Sequence, residues 1–327
     1  MVQLAHRYHN HLPCIENMSA SEVKRILVCG ATGQQGGAVV KALLARPPFF
    51  PHEILALTRK SSSPAAQRLA SNPKVKVIEG DFGHSAAIFE KAGGRNSVWG
   101  VFLMTLPSMK KLQPGVEDKE VTQGKAMFDA ALENGVKHFV FSSVDRGGDE
   151  KSWDAPTDIP HFITKHDIEL YIREKIKGSD MTYTILRPVA FMDNYKPGFF
   201  GRFFSAAWAQ MGQKKLQVVA TSDIGIFAAQ ALSDPESGNY KNKAIGLAGD
   251  DITQEEANQA MWEAKRRPMV QSYWFIASFL KWMVADLGLM FRWFENDGYG
   301  CDIEKCRKLN PEMKDFKTWL KEESAHQ

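Results

Sequence analysis

Long uninterrupted apolar runs are missing from this 327-residue chain. Its most apolar late stretch, residues 273–294, is broken by Lys281, Asp286 and Arg292. Three charges at bilayer depth make a spanning helix costly, so no membrane span is expected. The stretch reads as a buried or half-buried amphipathic helix pair, with an apolar patch lying in a membrane interface as the lesser alternative. Cysteine is scarce as well: Cys14, Cys29, Cys301 and Cys306 form neither a metal-ligand spacing nor a disulfide framework. No metal site is therefore expected, and a reducing, intracellular setting fits. Cys29 lies in an apolar run and reads as a small buried thiol. Cys301 and Cys306 are too far apart for a C-x-x-C motif.

Charge of one sign is also lacking. The 41 basic and 38 acidic residues leave a net +3, which argues against nucleic-acid binding through bulk charge. Internal repeats and low-complexity tracts are absent. The first 20 residues hold no continuous apolar core, so they are not a secretory signal. Arg7, His6, His9 and His11 leave a mitochondrial presequence open; the plainer reading is a flexible tail over residues 1–22. The expected location is the cytoplasm, with the nucleus also open.

What the chain does have is a globular composition, 44% hydrophobic and 24% charged, long enough for one large domain or one and a half. From residue 23 onward, strands and helices alternate. Short apolar runs at 25–29, 53–58, 75–79, 98–104, 137–141 and 181–186 read as strands. Helical patterns cover 35–45, 63–71, 86–92, 116–134 and 161–177. This alternation predicts an α/β fold, a doubly wound parallel sheet of the Rossmann kind over residues 23–188. After Pro188 the alternation weakens and aromatics accumulate. Residues 189–327 read as a smaller C-terminal α/β subdomain for a substrate or partner, which also contributes strands and helices to the core.

The strongest local signal is Gly30-Ala31-Thr32-Gly33-Gln34-Gln35-Gly36-Gly37, placed between the first strand and the first helix. Gly30 allows a sharp exit from the strand, Gly33 leaves room for a pyrophosphate, and Gly36 permits close helix-sheet packing. The helix start offers free N–H groups and partial positive charge to a diphosphate. Thr32 and Gln35 belong to the same cofactor-binding loop. The acid that accepts ribose hydroxyls in NAD-binding proteins is missing at the end of the second strand, where Thr58-Arg59-Lys60 stands instead. Arg59, with Lys60, suits a 2′-phosphate, so the predicted cofactor is NADP(H). Asp81 and Phe82 follow the third strand, where the adenine would lie; Asp81 also reads as part of a simple Gly-Asp turn.

These residues, with His161-Phe162-Ile163-Thr164-Lys165 and Arg187-Pro188-Val189-Ala190-Phe191-Met192-Asp193-Asn194, resemble the NmrA-like family, atypical relatives of the short-chain dehydrogenases. The resemblance runs from about Lys24 to the C-terminus and includes Lys243-Ala244-Ile245-Gly246-Leu247. It implies an NADP(H)-binding protein. The dehydrogenases use a Tyr-x-x-x-Lys pair on one helix face; here Lys165 keeps the lysine, but His161 replaces the tyrosine and Tyr171 is out of register. His161 and Lys165 are thus the candidate catalytic residues. A structural place for His161 beside Pro160 is the alternative, and Lys165 also counts as a cofactor ligand. The resemblance further implies that Thr105, Leu106, Pro107, Val189 and Phe191 lie near the nicotinamide, and that Ser142, ending the fifth strand where the dehydrogenases keep a catalytic serine, is a cofactor contact. Two functions follow: a redox-sensing regulator with little or no turnover that contacts a partner protein, or an NADPH-dependent reductase of a small carbonyl or conjugated compound. Trp262, Trp274, Trp282 and Trp293 would supply core or an interaction face.

Overall fold

Strands covered on both faces carry near-continuous apolar runs, and β1 (Lys24–Cys29) is such a strand from Ile26 onward: Ile26, Leu27, Val28 and Cys29 are all fully buried. The computed structural model describes residues 23–45, 52–107 and 117–325; the expected tail lies outside them. The first half continues with α1 (Gln34–Leu44), β2 (His52–Thr58), α2 (Pro64–Ala70), β3 (Val75–Glu79), α3 (Ser85–Lys91) and β4 (Gly100–Met104). Then come α4 (Lys119–Glu133), β5 (His138–Ser142), the short α5 (Lys151–Asp154), α6 (Pro160–Lys175) and β6 (Thr182–Pro188). The second half runs β7 (Ala190–Phe191), α7 (Phe199–Ala209), β8 (Leu216–Val219), α8 (Thr221–Ser233), β9 (Lys243–Leu247) and β10 (Asp250–Ile252). It closes with α9 (Gln254–Lys265), α10 (Trp274–Met283), α11 (Ala285–Asn296), α12 (Ile303–Leu309) and α13 (Phe316–Glu322).

Seven strands form one parallel sheet in the order β3-β2-β1-β4-β5-β6-β9. The order reverses between β1 and β4, so a crevice opens at the carboxyl ends of these strands. One face is covered by α1 and α8, with Val39, Leu43, Phe227 and Leu232 buried against Ile26 and Phe102. The other carries Phe128, Ile168 and Ile172 of α4 and α6 against Leu27, Leu103 and Phe139.

The chain after Pro188 serves both units. α8 and β9 return to the large sheet, β9 pairing with β6 from Thr184↔Lys243 to Pro188↔Leu247. The seventh strand escapes a pattern reading because its short run, Ala244-Ile245-Gly246-Leu247-Ala248, is built largely of small residues with a glycine at its centre. The rest builds a second unit: the small sheet β10-β8-β7 and a core in which Trp208, Phe203, Phe291, Phe316 and Trp319 are buried together. Cys301 and Cys306, distant in sequence for a redox pair, bring their sulfurs to 3.6 Å beside β9 as free thiols. Among the described residues no cluster of His, Cys, Asp or Glu could hold a metal ion. No single described helix is long and apolar enough to cross a membrane; α10 and α11 meet at a bend of 113°.

Candidate functional site

The glycine loop follows from local geometry. Gly30 leaves β1 at φ +66°, where side chains are strained. Gly36 packs against the loop so closely that a Cβ would stand 2.3 Å from Gly30 O. Gly33 caps α1 in ordinary backbone, φ −92°, and a Cβ on it would meet only Gly30 O, at 3.2 Å. The helix start carries no side-chain cap and no acid in its first turn. Its N-terminal residues Gly33, Gln34 and Gln35 line the cavity, so the N–H groups and positive dipole end of the helix form a cradle that fits a diphosphate.

Arg59 and Lys60 are exposed just past β2. The acid absent from β2 stands instead on β3: Glu79 pairs in register with Thr58 and accepts from Ser61 N at 2.8 Å and Ser61 Oγ at 2.5 Å. Hydrogen bonds from the Ser61 side chain and backbone hold the Glu79 carboxyl below the usual carboxylate range. Asp81 is exposed and accepts from Gly83 N at 2.9 Å, the Gly-Asp turn of the plainer reading, with half-buried Phe82 beside it.

A cavity of about 410 Å³ opens at the carboxyl ends of the central strands. Gly33, Gln35, Thr105, Leu106, Pro107, Ser142, His161, Lys165, Val189 and Phe191 all line it. Gly30, Thr32 and Gly36 sit in the loop behind Gly33, while Arg59, Lys60, Asp81 and Phe82 stand apart from the cavity. Ser142 Oγ donates to Gln35 Oε1 at 2.6 Å and ties the end of β5 to the loop.

Lys165 is buried and fully engaged. Its ammonium donates to Thr105 O at 2.9 Å, to Thr105 Oγ1 at 2.5 Å and lies 2.8 Å from Glu120 Oε1. Three acceptors for three N–H groups means that contact with a ribose hydroxyl requires an exchange of partner. Glu120 accepts further from Thr105 Oγ1 at 2.7 Å and Thr164 Oγ1 at 2.6 Å. Burial pushes the Glu120 carboxyl up, but the Lys165 ammonium and these hydrogen bonds outweigh it and hold the group below its ordinary value. Sequence reasoning missed Glu120 because an acid in a helix's first turn reads as a dipole complement on the surface.

His161 has a partner that sequence reasoning also missed. Its Nδ1 lies 2.7 Å from Asp286 Oδ2, at the start of α11. An ionised carboxylate only accepts, so Nδ1 carries the proton and Nε2 is left as the exchanging nitrogen. Asp286 first counts only as a charge that breaks an apolar stretch; the usable signal is that such a charge needs a polar partner. Tyr171 faces elsewhere: its hydroxyl donates to Asp129 at 2.7 Å, and burial together with that carboxylate pushes it up to about 12.

The remaining wall is aromatic. Phe162, Tyr195, Phe204, Phe291, Phe294 and Tyr299 line it with Met104 and Met290. Burial raises the phenols of Tyr195 and Tyr299, so both stay neutral. The wall past β5 is braced from below by a buried triad: Glu169 lies 2.8 Å from Arg146 and 2.6 Å from Arg187, all three with fully buried side chains. Arg146 Nη1 also donates to Val144 O, a cavity residue, at 2.9 Å.

Comparison with known proteins agrees with this architecture. The NmrA-like family domain-containing oxidoreductase hkm9 of Aspergillus hancockii is 38% identical over 120 residues, covering 36% of this chain and 33% of that protein. The match thus spans about a third of that relative's length. The structure of Citrobacter sp. triphenylmethane reductase complexed with NADP(H) aligns over 91% of this chain and 99% of that one, with TM-score 0.67 and 20% identity. NmrA, a negative transcriptional regulator, aligns over 92% and 96%, with TM-score 0.65 and 16% identity. Identities this low establish the shared fold and nothing finer. Residues 22–320 match the NmrA-like family as a whole, and the chain belongs to that family.

Proposed function

We propose that this chain binds NADP(H) along the crevice and reduces a flat, apolar carbonyl or conjugated acceptor held in the aromatic cavity. The observation that carries the reading is His161, paired with Asp286, lining a cavity that also takes in Gly33, Gln34 and Gln35 at the glycine loop. NADPH, when bound, supplies the hydride for such a reduction. The start of α1 would hold its diphosphate, and Arg59 with Lys60 its 2′-phosphate. Thr105, Leu106, Pro107, Ser142, Val189 and Phe191 would enclose the nicotinamide end. The aromatic wall orients the acceptor and excludes water. His161, with its ring fixed by Asp286, takes a proton from water onto Nε2 and, as the imidazolium, passes that proton to the acceptor. The oxidoreductase relative and the NADP(H)-bound reductase neighbour support this reading.

A second reading has its own observation. Lys165 spends all three N–H groups on Thr105 and Glu120, and the position four residues before it holds His161 in place of tyrosine. A site so arranged favours holding the cofactor over turning it over, as a redox-sensing regulator would, and one structural neighbour is a transcriptional regulator. NADPH consumption against a panel of quinones, aldehydes and enones separates the two. Turnover with at least one acceptor is expected. Tight NADPH binding with no turnover across the panel would replace the reductase with the sensor.

A further inference from the structure

The residues around α10 present an unusual surface. Tyr273, Trp274, Phe275, Phe279, Trp282 and Met283 are all exposed, Trp274 by 72% and Trp282 by 79%. Of α10 only Ala277 is fully buried, with Ile276 and Leu280 half-buried beside α11, so the half-buried pair its sequence suggests forms while the helix turns its aromatic side chains outward. α7 runs alongside. Ser272 N donates to Arg202 O at 2.9 Å, and Gln210 Nε2 donates to Trp274 O at 2.9 Å and Ser278 Oγ at 3.1 Å. The exposed Phe199 and Phe200 at the start of α7 therefore adjoin the same face.

The two sequence segments that carry this face are basic. Residues 264–285 contain Lys265, Arg266, Arg267 and Lys281 and no acid. Residues 195–222, which include α7, contain Lys196, Arg202, Lys214 and Lys215 and again no acid. The chain as a whole is nearly neutral, at +3, so this is a local segregation. Lys281 lies 5.5 Å from the Phe291 ring centroid, its stem laid over apolar surface.

We propose that this face docks on the surface of an anionic lipid bilayer, with α10 lying in the interface. Aromatic side chains prefer the boundary between headgroup and acyl chain, and basic residues beside them meet anionic headgroups. A second copy of the chain fits less well, because symmetric pairing would set one basic cluster against its twin. The docked helix shares its neighbours with the cavity: Phe204 of α7 and Met290, Phe291 and Phe294 of α11 line the cavity wall. On the reductase reading, an apolar acceptor dissolved in the bilayer would lie next to that wall; the docking itself does not depend on that reading.

Co-sedimentation of the full chain with vesicles tests the proposal. Vesicles of phosphatidylcholine mixed with phosphatidylserine should carry the protein down, and phosphatidylcholine alone should do so far less. Trp274→Ser with Trp282→Ser should weaken binding about tenfold or more, and raised salt should weaken it further. Circular dichroism checks that the doubly substituted chain is folded. Should it not fold, brominated lipid gives a readout on the unmodified chain: quenching of tryptophan fluorescence is expected on binding. A folded protein that ignores both vesicle types would overturn the proposal, as would binding unchanged by the two substitutions. So would a dimer in sedimentation equilibrium that these substitutions dissolve, which assigns the face to a second copy.

Discussion

Asp223 is buried in the first turn of α8, where its carboxylate accepts from Lys314 N at 3.0 Å and from Asn310 Nδ2 at 3.3 Å. Burial dominates and pushes the carboxyl up to about 6. The folded value lies above the unfolded one of about 3.9, so the folded state holds this proton more tightly. That contribution is fully present below about pH 4 and is lost as pH rises toward 6. Asp223→Asn removes the titration. Its stability relative to the unmodified chain should climb across this window and level off above about pH 6, by at most on the order of 2–3 kcal/mol. Thermal melts across the pH range measure it, and a pH-independent difference would contradict the assignment. Arg59 carries a second prediction at this scale. A charge-assisted contact to a 2′-phosphate is worth about 1.5–3 kcal/mol, or about ten- to a hundredfold in affinity. Arg59→Ala should lose that factor for NADPH and leave NADH nearly unchanged, as calorimetric titration would read. Equal losses for both cofactors would place the 2′-phosphate elsewhere. Single residues were legible where the backbone demands them, as at Gly30 and Gly36. They were not legible where a distant partner defines them: Glu120 waits on Lys165, 45 positions on, and Asp286 on His161.

Elements were legible in proportion to their apolar continuity. β1, β3 and β5 are short runs bounded by turn residues, and α1 stops before Pro47-Pro48, so each can be bracketed closely by pattern. β9 could not be, because Gly246 interrupts its run and its role comes from pairing with β6 across a long sequence gap. Gly246 is itself constrained there: a Cβ would meet Cys301 Sγ at 2.9 Å. The glycine loop is the element whose function and folding separate by position. Gly33→Val adds bulk toward the open cradle with only one contact, to Gly30 O, in a backbone conformation that side chains adopt readily. It should keep the circular dichroism of the parent and abolish NADPH binding. Gly36→Val drives a side chain into loop backbone and should lower the melting temperature instead. NADPH binding retained in a folded Gly33→Val protein would refute the loop's role.

At the scale of the whole molecule, the architecture explains why the crevice was readable and the aromatic wall was not. A doubly wound sheet places ligands at one switch point, so strand order alone locates the crevice. The aromatic wall comes from α6, the stretch before α7, α7 itself, α11 and the stretch before α12, far apart in sequence and brought together by packing. Its residues look like ordinary core until the fold assembles them around His161. The account therefore turns on whether His161, oriented by Asp286, supplies the proton. The measurement is NADPH oxidation by His161→Phe and His161→Tyr, each with its NADPH affinity determined in parallel. Phenylalanine should leave affinity near the parent value and remove most of the turnover, about a hundredfold or more, while tyrosine should restore at least part of it. Robust turnover in His161→Phe, with cofactor binding intact, would contradict the account and move the proton source to another group on the cavity wall.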